Sequence, residues 1–224
     1  MKKWWCLPLL LAFSGAAFAD EAMTSFTQGV NYVAVSPAQA TAVQPGQIEV
    51  IEFYWYGCPH CFALEPFIVQ WEKTKPKNVV FKRVPAAMKD SEFYVDAQAT
   101  VTADILGIGD KVREPFFNAI HVDDDEALRT DKDAIRAFFG KFGVKPADFD
   151  ATWDSFGVQT QLSRDQQLAA RYDVSGVPSV IVNGKWMTGA GYQMSPDNIM
   201  RCIEFLIARE QAALKPAAAP KKHK

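Results

Sequence analysis

Cys58-Pro59-His60-Cys61 puts two thiols one helical turn apart, where an apolar β-type run ends and a helical pattern begins. Position matters more than the four letters. A cysteine at a helix N-terminus faces unpaired backbone N–H groups and the positive end of the helix dipole, and both favour thiolate over thiol. His60 can add a donor or a positive charge beside the sulfur. Pro59 falls in the first turn, where its missing N–H costs little. Stabilising the Cys58 thiolate stabilises the dithiol over the disulfide. One pKa unit is about 1.4 kcal/mol, or roughly 30 mV for a two-electron couple. Only the part of the shift below ambient pH counts, so a depression well under neutrality makes the pair oxidising. A low-pKa thiolate is also the better leaving group from a mixed disulfide. Two blander readings compete. Half a zinc site needs two more ligands, and Cys202, His121 and His223 are unpaired candidates. An inert structural disulfide would close a four-residue loop and constrain little chain entropy.

The elements that must position these groups can be read from periodicity. Gln47 to Tyr56 is rich in β-branched and aromatic residues and follows the turn signal Pro45-Gly46, so it predicts a strand buried on both faces. A helix carrying Phe67, Ile68 and Trp71 follows, then a second strand at Val79–Val84. Strand, helix, strand predicts a parallel βαβ unit with a right-handed crossover. Between Pro85 and Val174 no strand signal occurs. Tyr94, Ala97, Val101 and Ile105 recur at helical spacing, as do Ile135, Phe138, Phe139 and Phe142. Pro115 is expected in the first turn of a further helix and Asp131 as the cap of the helix carrying Ile135. Strand signals return at Ser179–Val182, the Asn183-Gly184 pair predicts a hairpin, and Lys185–Thr188 predicts its second strand. Ser195-Pro196-Asp197 opens a last helix with Ile199, Cys202, Ile203, Leu206 and Ile207 on one face. Cys202 reads there as an inert core thiol. The Asp123–Glu126 run reads as a solvated cap or loop, since it lacks calcium-loop spacing.

The chain has 224 residues, 49% hydrophobic and 22% charged, with net charge −2, which suits a globular protein and argues against a nucleic-acid partner. Its four cysteines are too few for a disulfide framework. Lys2 and Lys3, a short apolar run and Ala17-Phe18-Ala19 predict a secretory signal peptide over residues 1–19. Residues 215–224, with four lysines and no acid, predict a disordered basic tail.

Glu52-Phe53-Tyr54 through the CPHC motif, and Gly176-Val177-Pro178-Ser179 with Val182-Asn183-Gly184-Lys185, resemble the thioredoxin superfamily and, within it, the DsbA family of periplasmic thiol:disulfide interchange proteins. The resemblance extends over the mature chain to about Ala213. It implies an α/β, thioredoxin-like fold with an inserted all-helical domain: residues 20–85 and 162–214 for the thioredoxin-like part, 86–161 for the insertion. It also implies a dithiol oxidase acting on newly exported, reduced and unfolded proteins. Cys58 would be the nucleophile, Cys61 the buried partner, His60 the tuner of the thiolate. Pro178 would be a cis-proline against the disulfide, leaving Val177, next to Gly176, to pair with an extended substrate. Glu52, six residues before Cys58, matches a buried acid that could take a proton from Cys61. Its cationic companion would be Lys82, although the alignment also permits Phe81 there. Pro66 resembles a helix-kinking proline. Further implications are no cofactor or metal beyond the Cys58–Cys61 disulfide, a DsbB-like membrane quinone reductase as reoxidant, and a monomer. An isomerase or reductase of the same fold, and a chaperone-like module with a vestigial CxxC, are the competing functions.

Overall fold

The computed structural model describes residues 26–88 and 92–214. The signal peptide expected at 1–19 and the basic tail expected at 215–224, with His223, lie outside the described residues. Strands β1 (Val33–Ala34), β2 (Ile48–Tyr54), β3 (Val79–Pro85), β4 (Ser179–Val182) and β5 (Trp186–Gly189) form one sheet in the order β1-β5-β4-β2-β3. β2 and β3 are parallel, joined by helix α1 (Pro59–Thr74), and the other pairs are antiparallel. The central strand β2 is buried at every residue, as expected for a strand covered on both faces. Asn183 and Gly184 both take positive φ in the β4–β5 turn, the geometry a tight hairpin requires.

Strand alternation divides the sheet into two faces. Ile48, Val50, Val180 and Val182 pack against Leu64, Ile68 and Trp71 of α1 and against Ile199, Cys202, Ile203, Leu206 and Ile207 of helix α7 (Pro196–Leu214). Cys202 is fully buried there, as its place on the apolar face predicted. Ile51, Phe53 and Ile181 face the opposite way and meet Leu168 and Ala169 of helix α6 (Phe156–Arg171) with Tyr172 beyond it.

The described residues between β3 and β4 form helices joined by turns and loops, with no strand: α2 (Glu92–Ile105), α3 (Gly109–His121), a 3-10 turn (Glu126–Arg129), α4 (Lys132–Gly140), α5 (Pro146–Trp153) and α6. α6 crosses position 161/162 as one unbroken helix: its first half packs on α2 through Val158 and Leu162, its second half on the sheet. Asp131 caps α4, its carboxylate accepting from the Asp133 and Ala134 amides. Pro115 departs from expectation. It lies in the middle of α3 and not in its first turn, because α3 begins six residues earlier at Gly109. Asp123, Asp124 and Asp125 are exposed, as read from the sequence. Among the described residues no helix is long and apolar enough to cross a membrane.

Candidate active site

Beyond Tyr54 the chain leaves the sheet and turns into α1, with the Cys58 amide donating to the Trp55 carbonyl at 3.0 Å. Cys58 is the N-cap residue and Pro59 stands in the first turn, its ring exposed to solvent. The insertion closes over this turn. Tyr54, Trp55, Tyr56, Cys58 and Cys61 belong to the same apolar cluster as Phe116 and Phe117 of α3 and Phe138 and Phe139 of α4. Both cysteines are free thiols, Cys58 7% and Cys61 1% exposed.

The two sulfurs are pushed in opposite directions. The Cys61 thiol donates to Cys58 and lowers its pKa to about 6; burial opposes this, and the Cys61 and His60 amides and the His60 side chain add to it. The order of these causes corrects the sequence reading. The helix start contributes through the Cys61 and His60 amides, but the neighbouring S–H outranks it. Cys61 is driven well above the usual thiol range by burial, by its bond to Cys58, and by the charges of Cys58 and Glu52. Such a pair carries its negative charge on Cys58 and keeps Cys61 protonated.

Val177–Pro178 is a cis peptide and packs beside the motif. The Cys58 thiol donates to the Val177 carbonyl at 3.4 Å. Gly176, Val177 and Pro178 line a groove of about 470 Å³ together with exposed His60, half-buried Ser179 and Tyr192, and buried Thr188. Gly189 backs this strap: at φ 149° it presses so close that an added Cβ would strike the Pro178 carbonyl. Pro66 lies within α1 on its exposed side, and Pro37 forms a second cis bond after Ser36, outside the site.

Glu52 is 1% exposed, buried as the resemblance implied. Burial and the Glu65 charge raise its pKa to about 8, against the pull of Arg83 and Arg113. The companion cation is Arg83, not Lys82. In the parallel ladder Glu52 stands opposite Arg83, whereas Lys82 stands opposite Ile51 on the other face and binds Glu49 at 2.6 Å. Arg83 lies 3.6 Å from Glu52, 3.5 Å from Glu65 and 2.9 Å from Glu72. Sequence reasoning missed Arg83 and Glu65. The spacing of Glu65 four residues after Cys61 on one helix was a usable signal; Arg83 needed the β2–β3 register, which spacing alone does not give. Arg113, whose guanidinium donates to the Tyr54 hydroxyl at 3.0 Å, was also missed. Among the described residues no group of three or more histidines, cysteines or acids converges as a metal site.

Comparison with known proteins agrees with this geometry. The family model described as a DSBA-like thioredoxin domain matches residues 83–198, a stretch that includes Pro178 but not the CPHC motif. The motif falls within the longer matches. The thiol:disulfide interchange protein DsbA of Pseudomonas syringae pv. tomato is 38% identical over 208 residues, 93% of this chain and 95% of that protein. The protein of the same name from Burkholderia cepacia is 34% identical, covering 94% and 98%. The chain belongs to the DsbA family. The crystal structure of Pseudomonas aeruginosa DsbA superposes with a TM-score of 0.76 at 35% identity, over 84% of this chain and 96% of that one. DsbA from Xylella fastidiosa gives 0.75 at 28% identity, over 82% and 97%. The DsbA family is one of thiol:disulfide oxidoreductases, and the thioredoxin-like fold with a helical insertion is its fold. This chain is therefore a thiol:disulfide oxidoreductase.

Proposed function

We propose that the chain is a dithiol oxidase, handing the Cys58–Cys61 disulfide to reduced, unfolded proteins outside the cytoplasm. The observation that carries this is the opposed bias of the two sulfurs, Cys58 toward thiolate at about 6 and Cys61 toward thiol. At pH 7 a pKa of about 6 leaves roughly one unit of useful depression, on the order of 30 mV toward the oxidising side.

In the oxidised enzyme a substrate thiolate attacks Cys58 Sγ. The Cys58–Cys61 bond breaks, its electron pair leaves on Cys61, and a mixed disulfide joins substrate and Cys58. Cys61 takes a proton, for which Glu52 is the nearby buried source. A second substrate thiolate attacks the substrate sulfur of the mixed disulfide and expels the Cys58 thiolate, the better leaving group. Substrate is oxidised by two electrons and the dithiol is regenerated reduced. Reoxidation falls to a DsbB-like membrane quinone reductase. No cofactor beyond the cysteine pair takes part. The substrate lies extended in the groove lined by Gly176 and Pro178, pairing with the Val177 backbone as an added strand. The signal-peptide pattern supports a periplasmic enzyme, which works as a monomer, the helical insertion a domain set into the thioredoxin-like one.

Oxidation of a reduced dithiol peptide tests the reading. Cys58→Ser is expected to abolish turnover, and Cys61→Ser to accumulate mixed disulfides at Cys58. Full turnover in the Cys58 variant overturns it, and an equilibrium with glutathione that lies strongly on the reducing side replaces it with a reductase or isomerase.

A further inference from the structure

The insertion touches the active-site turn through two side chains that the sulfur chemistry does not use. His121, the last residue of α3, bonds through Nε2 to the Tyr56 carbonyl at 2.7 Å. A carbonyl only accepts, so this nitrogen carries its proton. The same ring stacks on Phe62, with centroids 4.8 Å apart and planes 14° from parallel. Arg129, at the end of the 3-10 turn, donates from Nη2 to the Gly57 carbonyl at 3.4 Å and lies 5.7 Å over the Trp55 ring. Glu126 holds its other arm at 3.0 Å.

These contacts bracket the motif. Tyr56 and Gly57 are the two residues before Cys58, and Phe62 is the residue after Cys61. The chain has left the sheet there, so its carbonyls need donors from elsewhere when they are buried. Gly57 is conformationally permissive, and it runs so close to Trp55 that an added Cβ would strike the indole. Its peptide plane is held at both ends, by the Cys58 amide on the Trp55 carbonyl and by Arg129 on the Gly57 carbonyl. Those planes set the direction of the Cys58 Cα–Cβ bond, and thereby whether Sγ meets the Cys61 thiol and the His60 and Cys61 amides. A donor on each carbonyl also offsets the negative end of a dipole lying close to a developing thiolate.

We propose that His121 and Arg129 are positioning residues for the redox reaction, holding the Tyr56 and Gly57 peptide planes so that Cys58 Sγ stays aimed at its donors. This rests on the dithiol-oxidase reading above, because it assigns a purpose to the thiolate that reading uses.

The test is titration of the reduced enzyme by thiolate absorbance, with the glutathione equilibrium measured alongside. His121→Ala and Arg129→Ala are each expected to shift the Cys58 midpoint upward and lower the oxidising equilibrium constant about threefold, and together about tenfold, a one-unit shift. His121→Phe keeps a ring against Phe62 but has no donor, and is expected to behave like the alanine variant. His121→Gln keeps a donor within reach and is expected to titrate like wild type; it also serves if the alanine variants fail to fold. Variants that melt earlier yet titrate as wild type overturn the proposal, as does a glutamine variant no better than phenylalanine. Failure of the oxidase reading itself is seen separately, as a wild-type Cys58 that titrates like free cysteine.

Discussion

The Glu52 carboxylate and the Arg83 guanidinium face each other across adjacent parallel strands, Oε2 3.6 Å from Nε, close enough to attract and too far to share a hydrogen bond. Arg83 spends its better contacts on Glu72 and Glu65. One buried cation therefore serves three acids, and the acid nearest the active-site turn receives the weakest share. That imbalance, added to burial, is what leaves Glu52 able to hold a proton near neutrality.

The first prediction separates the two candidate counterions. Arg83→Met leaves Glu52, Glu65 and Glu72 without their shared cation and is expected to destabilise the protein by roughly 2–4 kcal/mol. It also removes a charge that lowers the Glu52 pKa, so the pH profile of peptide oxidation moves upward. Lys82→Met disturbs only Glu49 on the other face of the sheet, so that profile stays where it is. Urea denaturation and turnover across pH 5–9 check both halves. An identical displacement in the two variants would remove Arg83 from its assigned place.

Glu52→Gln tests the cost of the buried acid. The folded pKa is raised from 4.5 to about 8, so the carboxyl's favourable contribution is complete below 4.5 and is lost as pH climbs through 8. Wild type should therefore weaken relative to Glu52→Gln across that window. With Arg83 losing a neighbour in the variant, the net gain expected at pH 8 is on the order of 2 kcal/mol, and at pH 4 close to nothing. Chemical denaturation at the two pH values gives the answer. Turnover should fall in the same variant, since Gln cannot exchange a proton with Cys61.

Cys58 gives the opposite sign. Its pKa is lowered from 9.0 to about 6, so in the reduced enzyme it stabilises the fold fully above 9 and loses that contribution as pH drops through 6. The oxidised enzyme has no thiol there to titrate. The reduced form should gain about 1.4 kcal/mol over the oxidised form between pH 5 and pH 7 and more by pH 8.5. Melting both forms at those three values measures it. A gap between them that does not change with pH would mean the sulfur is not held as an anion.

Much of this was legible before any coordinates. The CPHC motif announced its own placement, because an unbroken apolar strand followed by a proline-started helix leaves little choice about where Cys58 sits. Pro178 was visible from the strand that follows it, and Cys202 from its helical face. What escaped were groups that act across the fold. Arg83 and Lys82 are neighbours in sequence, yet the parallel register sends one under the active site and the other to the far face. A one-residue ambiguity in alignment is a change of face in a strand. His121 looked idle because its partners, Tyr56 and Phe62, come from a distant part of the chain. Pro115 misled because the preference for a helix's first turn is statistical, and it does not bar a proline from mid-helix when packing holds the helix together.

The last prediction concerns the strap beside the cysteines. Gly189 sits at φ 149°, a conformation side chains rarely adopt, opposite Ser179 in the β4–β5 ladder. Ala190, next to it, donates its amide to the Pro178 carbonyl at 3.1 Å. Gly189→Ala would place a methyl where that carbonyl lies, so strap and strand must move apart. The expected cost is roughly 1–3 kcal/mol of stability. Because Val177 and Pro178 line the groove, the KM for a reduced peptide should rise several-fold, and because the Cys58 thiol donates to the Val177 carbonyl, loss of that acceptor should move the Cys58 midpoint slightly downward. Gly191→Ala is the control, since it lines the same groove with open space around its added Cβ and should be near neutral. Equal behaviour of the two variants in melting and in KM would show that Gly189 does not set the strap.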